Sequence, residues 1–187
     1  FFADKLIVSA GAWLTELIDL NPINLSIERQ INHWIDLKDK TQFSVSELPV
    51  TTWEYGLENR SFYTIPDLGQ GFKISRHHGG EITNPNYVDR NVKNDEIEDI
   101  QQLFESFFEA SGVVENSKTC LYTNTDSQDF LIDFYRGNDN VLILSPCSGH
   151  GFKFASVVGE VAADLIETGK SKFNLTNFSF EKHKKFN

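Results

Sequence analysis

The strongest chemical signal in this chain is a strand that runs into a glycine turn. Val141-Leu142-Ile143-Leu144 leads into Ser145-Pro146-Cys147-Ser148-Gly149-His150-Gly151. Phe154, Val157, Val158, Val161, Leu165 and Ile166 then recur at helical spacing until Gly169. Gly149 and Gly151 would let backbone approach a ligand closely. The first free N–H groups of the helix, near Phe152 and Lys153, would point at an electron-rich group with the helix dipole behind them. The pattern is not GxGxxG, and most strand-to-helix turns with glycines are only turns. Lys153 stands at the wrong end of the dipole for a cation, so solvent or an anion must meet it.

Cys120 lies in Thr119-Cys120-Leu121-Tyr122-Thr123, a strand pattern in which it shares a face with Tyr122. A free cysteine there is ordinarily a small buried hydrophobe. His77-His78 closes the strand Phe72 to Ser75, where a histidine is more often a surface or capping residue than a catalyst. No cysteine or carboxylate stands at metal spacing from this pair, which argues against zinc. Lys73 and Tyr63 also fall on strand patterns, where an edge lysine and a core tyrosine are the ordinary occupants.

These residues need elements to position them. Leu6-Ile7-Val8-Ser9-Ala10 reads as a strand buried on both faces, and Trp13, Leu14, Leu17, Ile18 and Leu20 as a helix stopped at Asn21-Pro22. From Ile23 to Pro85 the texture changes to short alternating stretches, Asn32 to Leu37, Gln42 to Val50, Ser61 to Ile65 and Phe72 to Ser75, broken by glycines and prolines. That is an antiparallel pattern. Asn94-Asp95-Glu96 opens a helix, with Asn94 as its cap and Ile97, Ile100, Phe104, Phe107 and Phe108 on its apolar face. Thr119 to Thr123 and Phe130 to Phe134 are two further strands about the polar turn Asn124 to Asp129. The architecture predicted is α/β plus α+β. Two α/β segments, residues 1–22 and 137–187, form one discontinuous domain, with a mainly antiparallel β domain, 23–136, inserted between them.

Composition narrows the function. The chain has 187 residues, 17 Lys+Arg against 27 Asp+Glu and a net charge of −10, which disfavours nucleic acid. Apolar residues make up 40% and charged residues 24%, a globular composition. No apolar run approaches the roughly 18 residues of a membrane span. With two cysteines and no signal-peptide pattern, the expected setting is cytoplasmic and reducing. The sequence contains no methionine and opens a few residues before a strand, so it reads as the C-terminal part of a longer protein.

Four stretches carry a family likeness: Ala3-Asp4-Lys5-Leu6-Ile7-Val8-Ser9-Ala10-Gly11-Ala12-Trp13, Lys118-Thr119-Cys120-Leu121-Tyr122-Thr123-Asn124-Thr125, Phe130-Leu131-Ile132-Asp133, and Ser148-Gly149-His150-Gly151-Phe152-Lys153-Phe154. In order and spacing they resemble the monomeric sarcosine oxidase and N-methyltryptophan oxidase family, flavoenzymes of the D-amino-acid-oxidase-like group. The likeness covers the C-terminal half of such an enzyme. It implies that the dinucleotide fingerprint for the ADP part of FAD lies upstream. Pro146-Cys147 departs from the glycine and hydrophobic residue usual before SGHG in that family.

The resemblance implies roles. Cys120 would carry FAD covalently as a thioether. Gly149, His150, Gly151, Phe152 and Lys153 would lie against the flavin, and Lys153 would also meet the substrate carboxylate. Lys73 and His77 would be catalytic, with Lys73 activating oxygen. Tyr63 and His77 would line the substrate pocket, His78 being a rival for His77 one residue on. The implied activity is oxidation of sarcosine or another N-methyl amino acid to an imine, with molecular oxygen reduced to hydrogen peroxide, by a monomer with no metal and no nucleic-acid or membrane partner. The alternatives are an amine oxidase of the same fold acting on N-methyltryptophan, pipecolate or glycated amino acids, and a non-catalytic interaction module.

Overall fold

We describe residues 2–56 and 60–184 in a computed structural model of the chain. In chain order the elements are β1 (Leu6–Val8), α1 (Leu14–Leu17), β2 (Leu25–Leu37), β3 (Thr51–Tyr55), β4 (Arg60–Ile65), β5 (Phe72–His77) and β6 (Glu81–Ile82). There follow α2 (Asn94–Phe107), β7 (Gly112–Thr125), β8 (Leu131–Tyr135), β9 (Asn138–Ser145), α3 (Ala155–Thr168) and α4 (Phe180–His183). They divide into two units, and the divisions fall inside β2 after Glu28 and inside β7 after Leu121.

The first unit takes the chain up to Glu28, Ile82–Pro85, and everything from Tyr122 onward. Its sheet has the order β1-β9-β8. β1 pairs with β9 in parallel, Ile7 opposite Leu142, and β8 pairs with β9 antiparallel. The two ends of the sequence therefore return to one sheet, as their continuous apolar runs predict. For β9 the run has a physical cause, since both faces are covered; β1 is not buried on both faces as its run predicts, because only Val8 is buried while Leu6 and Ile7 are 52% and 43% exposed. Leu142 and Ile132 pack with Val161, Ala162 and Leu165 of α3. Leu131, Ile143 and Val8 pack on the other side with Leu14, Leu25 and Phe180. Helix α3 ends at Gly169, whose φ of 75° places it in the left-handed conformation that suits glycine at a helix C-terminus.

The second unit is Arg29–Glu81 with Asn86–Leu121. Its sheet runs β3-β4-β5-β2-β6, and β7 also pairs β2. Alternation splits the side chains between two faces. On one face Ile35, Phe62, Phe72 and Ile74 are fully buried against Ile100, Leu103 and Phe104 of α2. Phe43 joins them edge-on to Phe72, ring centroids 4.8 Å apart. The opposite face carries Asn32 and Trp34 of β2, Tyr63 of β4, and Lys73 and His77 of β5. The register confirms this: Trp34 lies opposite Lys73, and Ser61 opposite His77.

Several elements differ from the sequence expectation. Gln42 to Val50 is not a strand; a single 3-10 turn at Thr41–Phe43 puts Phe43 into the aromatic core. β2 begins at Leu25 rather than Asn32, because its polar residues are paired rather than solvated. Arg29 is 6% exposed and donates to both carboxylate oxygens of Glu96, at 2.5 and 3.3 Å, and to the carbonyls of Asp89 and Asn91. The helix cap is Lys93 and not Asn94: the Lys93 N–H donates to the Glu96 carboxylate at 2.8 Å. The first predicted helix is a 3-10 turn, Gly11–Trp13, followed by the single turn α1. β7 is longer at both ends than predicted, because its earlier part pairs along β2.

His33 is a buried titratable group on the helix-covered face. Its Nδ1 lies 2.8 Å from the Ser117 hydroxyl. Burial pushes its pKa down to about 4, against the upward pull of Glu96 and Asp99. The fold therefore holds His33 neutral where the unfolded chain, titrating at the ordinary value of about 6.5, is protonated. The stability it contributes is complete above pH 6.5 and is lost as pH falls toward 4, up to about 3 kcal/mol at roughly 1.4 kcal/mol per pKa unit. Urea unfolding of the full-length protein at pH 7 and pH 4.5 should show a smaller acid loss in His33→Gln than in the parent. Equal losses in the two proteins would mean that His33 is not held neutral.

Candidate active site

On the open face of the second unit's sheet, four neighbouring strands, β4, β5, β2 and β7, bring five side chains together. The Tyr63 hydroxyl donates to Asn32 Oδ1 at 2.7 Å, and Asn32 Nδ2 donates to Cys120 Sγ at 3.5 Å. Lys73 Nζ lies 5.4 Å from the centre of the Tyr63 ring and 5.5 Å from that of Trp34. The ammonium is thus held by two aromatic faces. Among the described residues no carboxylate pairs with it. Cys120 is partly exposed. Burial raises its thiol pKa, while the Lys73 charge and the Asn32 hydrogen bond pull it back down.

His77 extends this row. Its ring meets Tyr63 edge-on at 6.2 Å and lies 4.3 Å from the ring of His78. His78 follows the strand with φ of 62°. Both histidines line a cavity of about 520 Å3 with Arg60, Ser61 and Arg76, which Tyr63, Lys73 and Cys120 do not line. Arg76 is bound to Asp99 of α2 by two hydrogen bonds of 2.8 and 2.7 Å.

In the first unit the glycine turn is built by its own neighbours. Ser148 is buried; its N–H donates to the Thr123 carbonyl and its hydroxyl to that of Asp129. His150 stacks on Phe130 at 4.8 Å, and its Nε2 lies 3.0 Å from the Gln128 carbonyl. Lys153 Nζ donates to the His150 carbonyl at 2.9 Å and sits 5.1 Å from the Phe154 ring. The partner is thus a neutral carbonyl rather than the anion that its place on the dipole predicts. A 3-10 turn, Phe152–Phe154, precedes α3, so the helix proper begins at Ala155, three residues after Phe152, where its first free N–H groups are predicted. No described acceptor takes the backbone N–H groups of Phe152 and Lys153, and the Phe152 side chain is 96% exposed. Cys147 is also partly buried; burial raises its pKa, and the nearby Ser145 hydroxyl, which has no hydrogen-bond partner among the described residues, offsets this only in part.

With this geometry in hand the chain can be set against known proteins. Residues 1–165 match the DAO family, described as FAD dependent oxidoreductase. The chain belongs to this family. It is 31% identical to a monomeric sarcosine oxidase from Bacillus sp. (strain NS-129), a match covering 97% of the chain and 48% of that protein. It is 34% identical to an N-methyl-L-tryptophan oxidase from Escherichia coli O157:H7, covering 96% and 48%. The chain thus spans about half the length of the curated relatives it matches. Fructosamine oxidase (Amadoriase II) from Aspergillus fumigatus shares the fold, with a TM-score of 0.70 at 17% identity over 97% of this chain and 46% of that one.

The residues of each unit fit the family's cofactor. A partly exposed thiol in the field of an ammonium that no described carboxylate pairs with suits a ring system that gains negative charge on reduction. In the turn, the two unmatched N–H groups are donors for the same kind of group. Sequence reasoning missed Asn32 and Trp34. Nothing marks an asparagine or a tryptophan as special on an alternating strand until its cross-strand neighbours are known.

The glycines of the turn have a reason besides close approach to a ligand. A Cβ on Gly151 would stand 1.6 Å from the Pro146 carbonyl oxygen, and one on Gly149 would stand 2.4 Å from the Tyr122 ring. Gly159, on the exposed side of α3, meets nothing within 4 Å. Gly151→Ala should therefore cost about 2–4 kcal/mol, whereas Gly159→Ala should gain roughly 0.5–1 kcal/mol from helix propensity. Thermal unfolding of the two variants checks this. A Gly151→Ala protein as stable as its parent would show that the turn is not packed in this way.

Proposed function

We propose that the parent protein is an FAD-dependent oxidase of secondary amines, acting on sarcosine or another N-methyl amino acid. The observation that carries this reading is the Lys73 ammonium, placed between the Trp34 and Tyr63 rings with the Cys120 thiol in its field. In a chain with ten more acidic than basic residues, a partly buried cation without a carboxylate calls for another source of negative charge. Family membership supplies one. When bound, FAD supplies the redox chemistry: a hydride equivalent leaves the carbon beside the substrate nitrogen, giving an imine, and molecular oxygen takes up the electrons as hydrogen peroxide.

The chain's own residues would bind and orient. Cys120 is the proposed covalent anchor for the cofactor. Lys73 stabilises negative charge during the reaction with oxygen, a fixed charge acting in a partly desolvated place. Gly149, His150, Gly151 and Phe152 hold the cofactor through backbone, and Lys153 meets the substrate carboxylate when it leaves the His150 carbonyl. Tyr63 and His77 line the substrate pocket, where a neutral His77 imidazole would accept a proton from the substrate ammonium, delivering the free amine. In domain terms, residues 1–22 and 137–187 are the proposed FAD-binding segments and 23–136 the substrate domain. The names of the two curated relatives divide between sarcosine and N-methyl-L-tryptophan, so the N-methyl amino group is the shared feature and the side chain is what a test must resolve.

The test is a panel of secondary amines with a peroxide readout on full-length protein: sarcosine, N-methyltryptophan, pipecolate and a glycated amino acid. We expect turnover of at least one N-methyl amino acid and a loss of about 10²–10³-fold in Lys73→Met at unchanged thermal stability. Holoprotein that no amine reduces would favour the non-catalytic interaction module instead.

The anchor has its own check. Acid-denatured full-length protein should keep a yellow, fluorescent band on a gel, and Cys120→Ser should release it while Cys147→Ser does not. Release by Cys147→Ser alone would reverse the assignment of the two cysteines.

A further inference from the structure

We propose that Asn32 is the positioning residue for Cys120, its carboxamide fixed by the Tyr63 hydroxyl so that an N–H faces Sγ and sets both the direction and the acidity of the thiol. The inference rests on the reading of Cys120 as the cofactor's anchor, and it concerns a residue outside that reading. A carboxamide has two unlike ends. The oxygen end of Asn32 accepts from Tyr63 at 2.7 Å, so the nitrogen end is the one that meets the sulfur at 3.5 Å. An N–H donor binds a thiolate more strongly than a thiol, and the difference lowers the thiol's pKa. The proton lost from Sγ goes to solvent, since Cys120 is partly exposed.

The three residues sit on three strands, Asn32 on β2, Tyr63 on β4 and Cys120 on β7. Their separation is therefore set by the sheet and not by flexible loops. Both hydrogen bonds use side chains with few rotatable bonds, which keeps the sulfur in one direction. Lys73 acts on the thiol by charge alone and makes no hydrogen bond to it; it is the charged group whose field reaches Sγ. Cys147, at comparable burial, has only the Ser145 hydroxyl and no cation. The two cysteines thus make an internal comparison: the desolvation is similar, and the amide and the ammonium are found at Cys120 alone.

The experiment uses full-length protein produced under riboflavin limitation, so that the thiol is unmodified. Iodoacetamide alkylation of the Cys120 peptide is followed by mass spectrometry across pH, with the Cys147 peptide as the reference. Asn32→Ala should raise the Cys120 alkylation midpoint by about one pH unit, which is about tenfold slower reaction at neutral pH. Asn32→Asp, nearly the same shape but acceptor-only and charged, should raise it further. Tyr63→Phe should raise it by less. The Cys147 midpoint should stay in place throughout. An unchanged Cys120 midpoint in both Asn32 variants overturns the proposal, as does an equal movement of Cys147, which would report loosening of the fold. The anchor reading fails separately: parent protein without acid-stable colour, but with an Asn32-dependent midpoint, removes the anchor and keeps the role of Asn32.

Discussion

The burial of Ile35, Phe62, Phe72 and Ile74 under α2 is the constraint on which the second unit's chemistry depends. A strand has only two faces, so committing these four to the core commits their neighbours Trp34, Tyr63, Lys73 and Ser75 to the other side. A slip of one residue in β5 would put Lys73 against Phe104 and leave Phe72 in solvent. Each large apolar side chain is worth roughly 1.5–3 kcal/mol of burial, so such a slip is far out of reach. The polar face thus inherits its precision from the apolar one. The ammonium of Lys73 is placed between two rings because Phe72 and Ile74 are fixed beneath it.

The polar contacts on the covered face add direction to that packing. Arg29 and Arg76, from β2 and β5, bind Glu96 and Asp99 on the first two turns of α2. Arg29 also reaches the Asp89 and Asn91 carbonyls, so one buried guanidinium holds the chain leading into the helix as well as the helix itself. A buried pair of this kind is weak evidence for net stability, but breaking it by removing one partner leaves an uncompensated charge, at about 3–5 kcal/mol. Its value here is registration. Apolar contacts tolerate a helix sliding along a sheet, whereas two arginines on separate strands meeting carboxylates three residues apart do not.

Legibility in the sequence followed the same division. Period-2 alternation was visible at Ser61 to Ile65 and Phe72 to Ser75, and continuous apolar runs at Leu6 to Ala10 and Val141 to Leu144, because those patterns are imposed by burial on one or two faces. The first half of β2 was not visible. Glu28, Arg29 and Gln30 are buried polar residues in succession, and a strand whose polar residues are satisfied by distant partners carries no hydrophobic period. The stretch from Gln42 to Val50 failed in the opposite way. Its apolar residues mimic alternation, but Thr41–Phe43 coil into a 3-10 turn; Phe43 is buried in the core, Leu48 packs partly buried against it, and Val45 and Val50 are exposed. At the site, the family likeness named Tyr63, Lys73, His77 and Cys120 by position. It could not name Asn32, whose importance lies in two cross-strand hydrogen bonds.

The two cysteines show how little of a residue's chemistry belongs to the residue. Both are partly buried and both have a thiol pKa raised by desolvation. Left there, each would be an inert small hydrophobe. Around Cys120, three strands whose order is fixed by a remote aromatic core supply an amide donor and a cation without a carboxylate to neutralise it. Around Cys147, the backbone has just left β9, and the neighbouring residues are occupied in closing the turn: the Cys147 carbonyl takes the His150 N–H, and the Pro146 carbonyl lies where a side chain on Gly151 would have to go. A thiol becomes a nucleophile where its surroundings favour the anion more than burial disfavours it. In this chain the groups that pull toward the anion, an amide and an ammonium set against a burial that still leaves the Cys120 pKa raised, belong to a sheet face, and the glycine turn spends its polar groups on its own conformation.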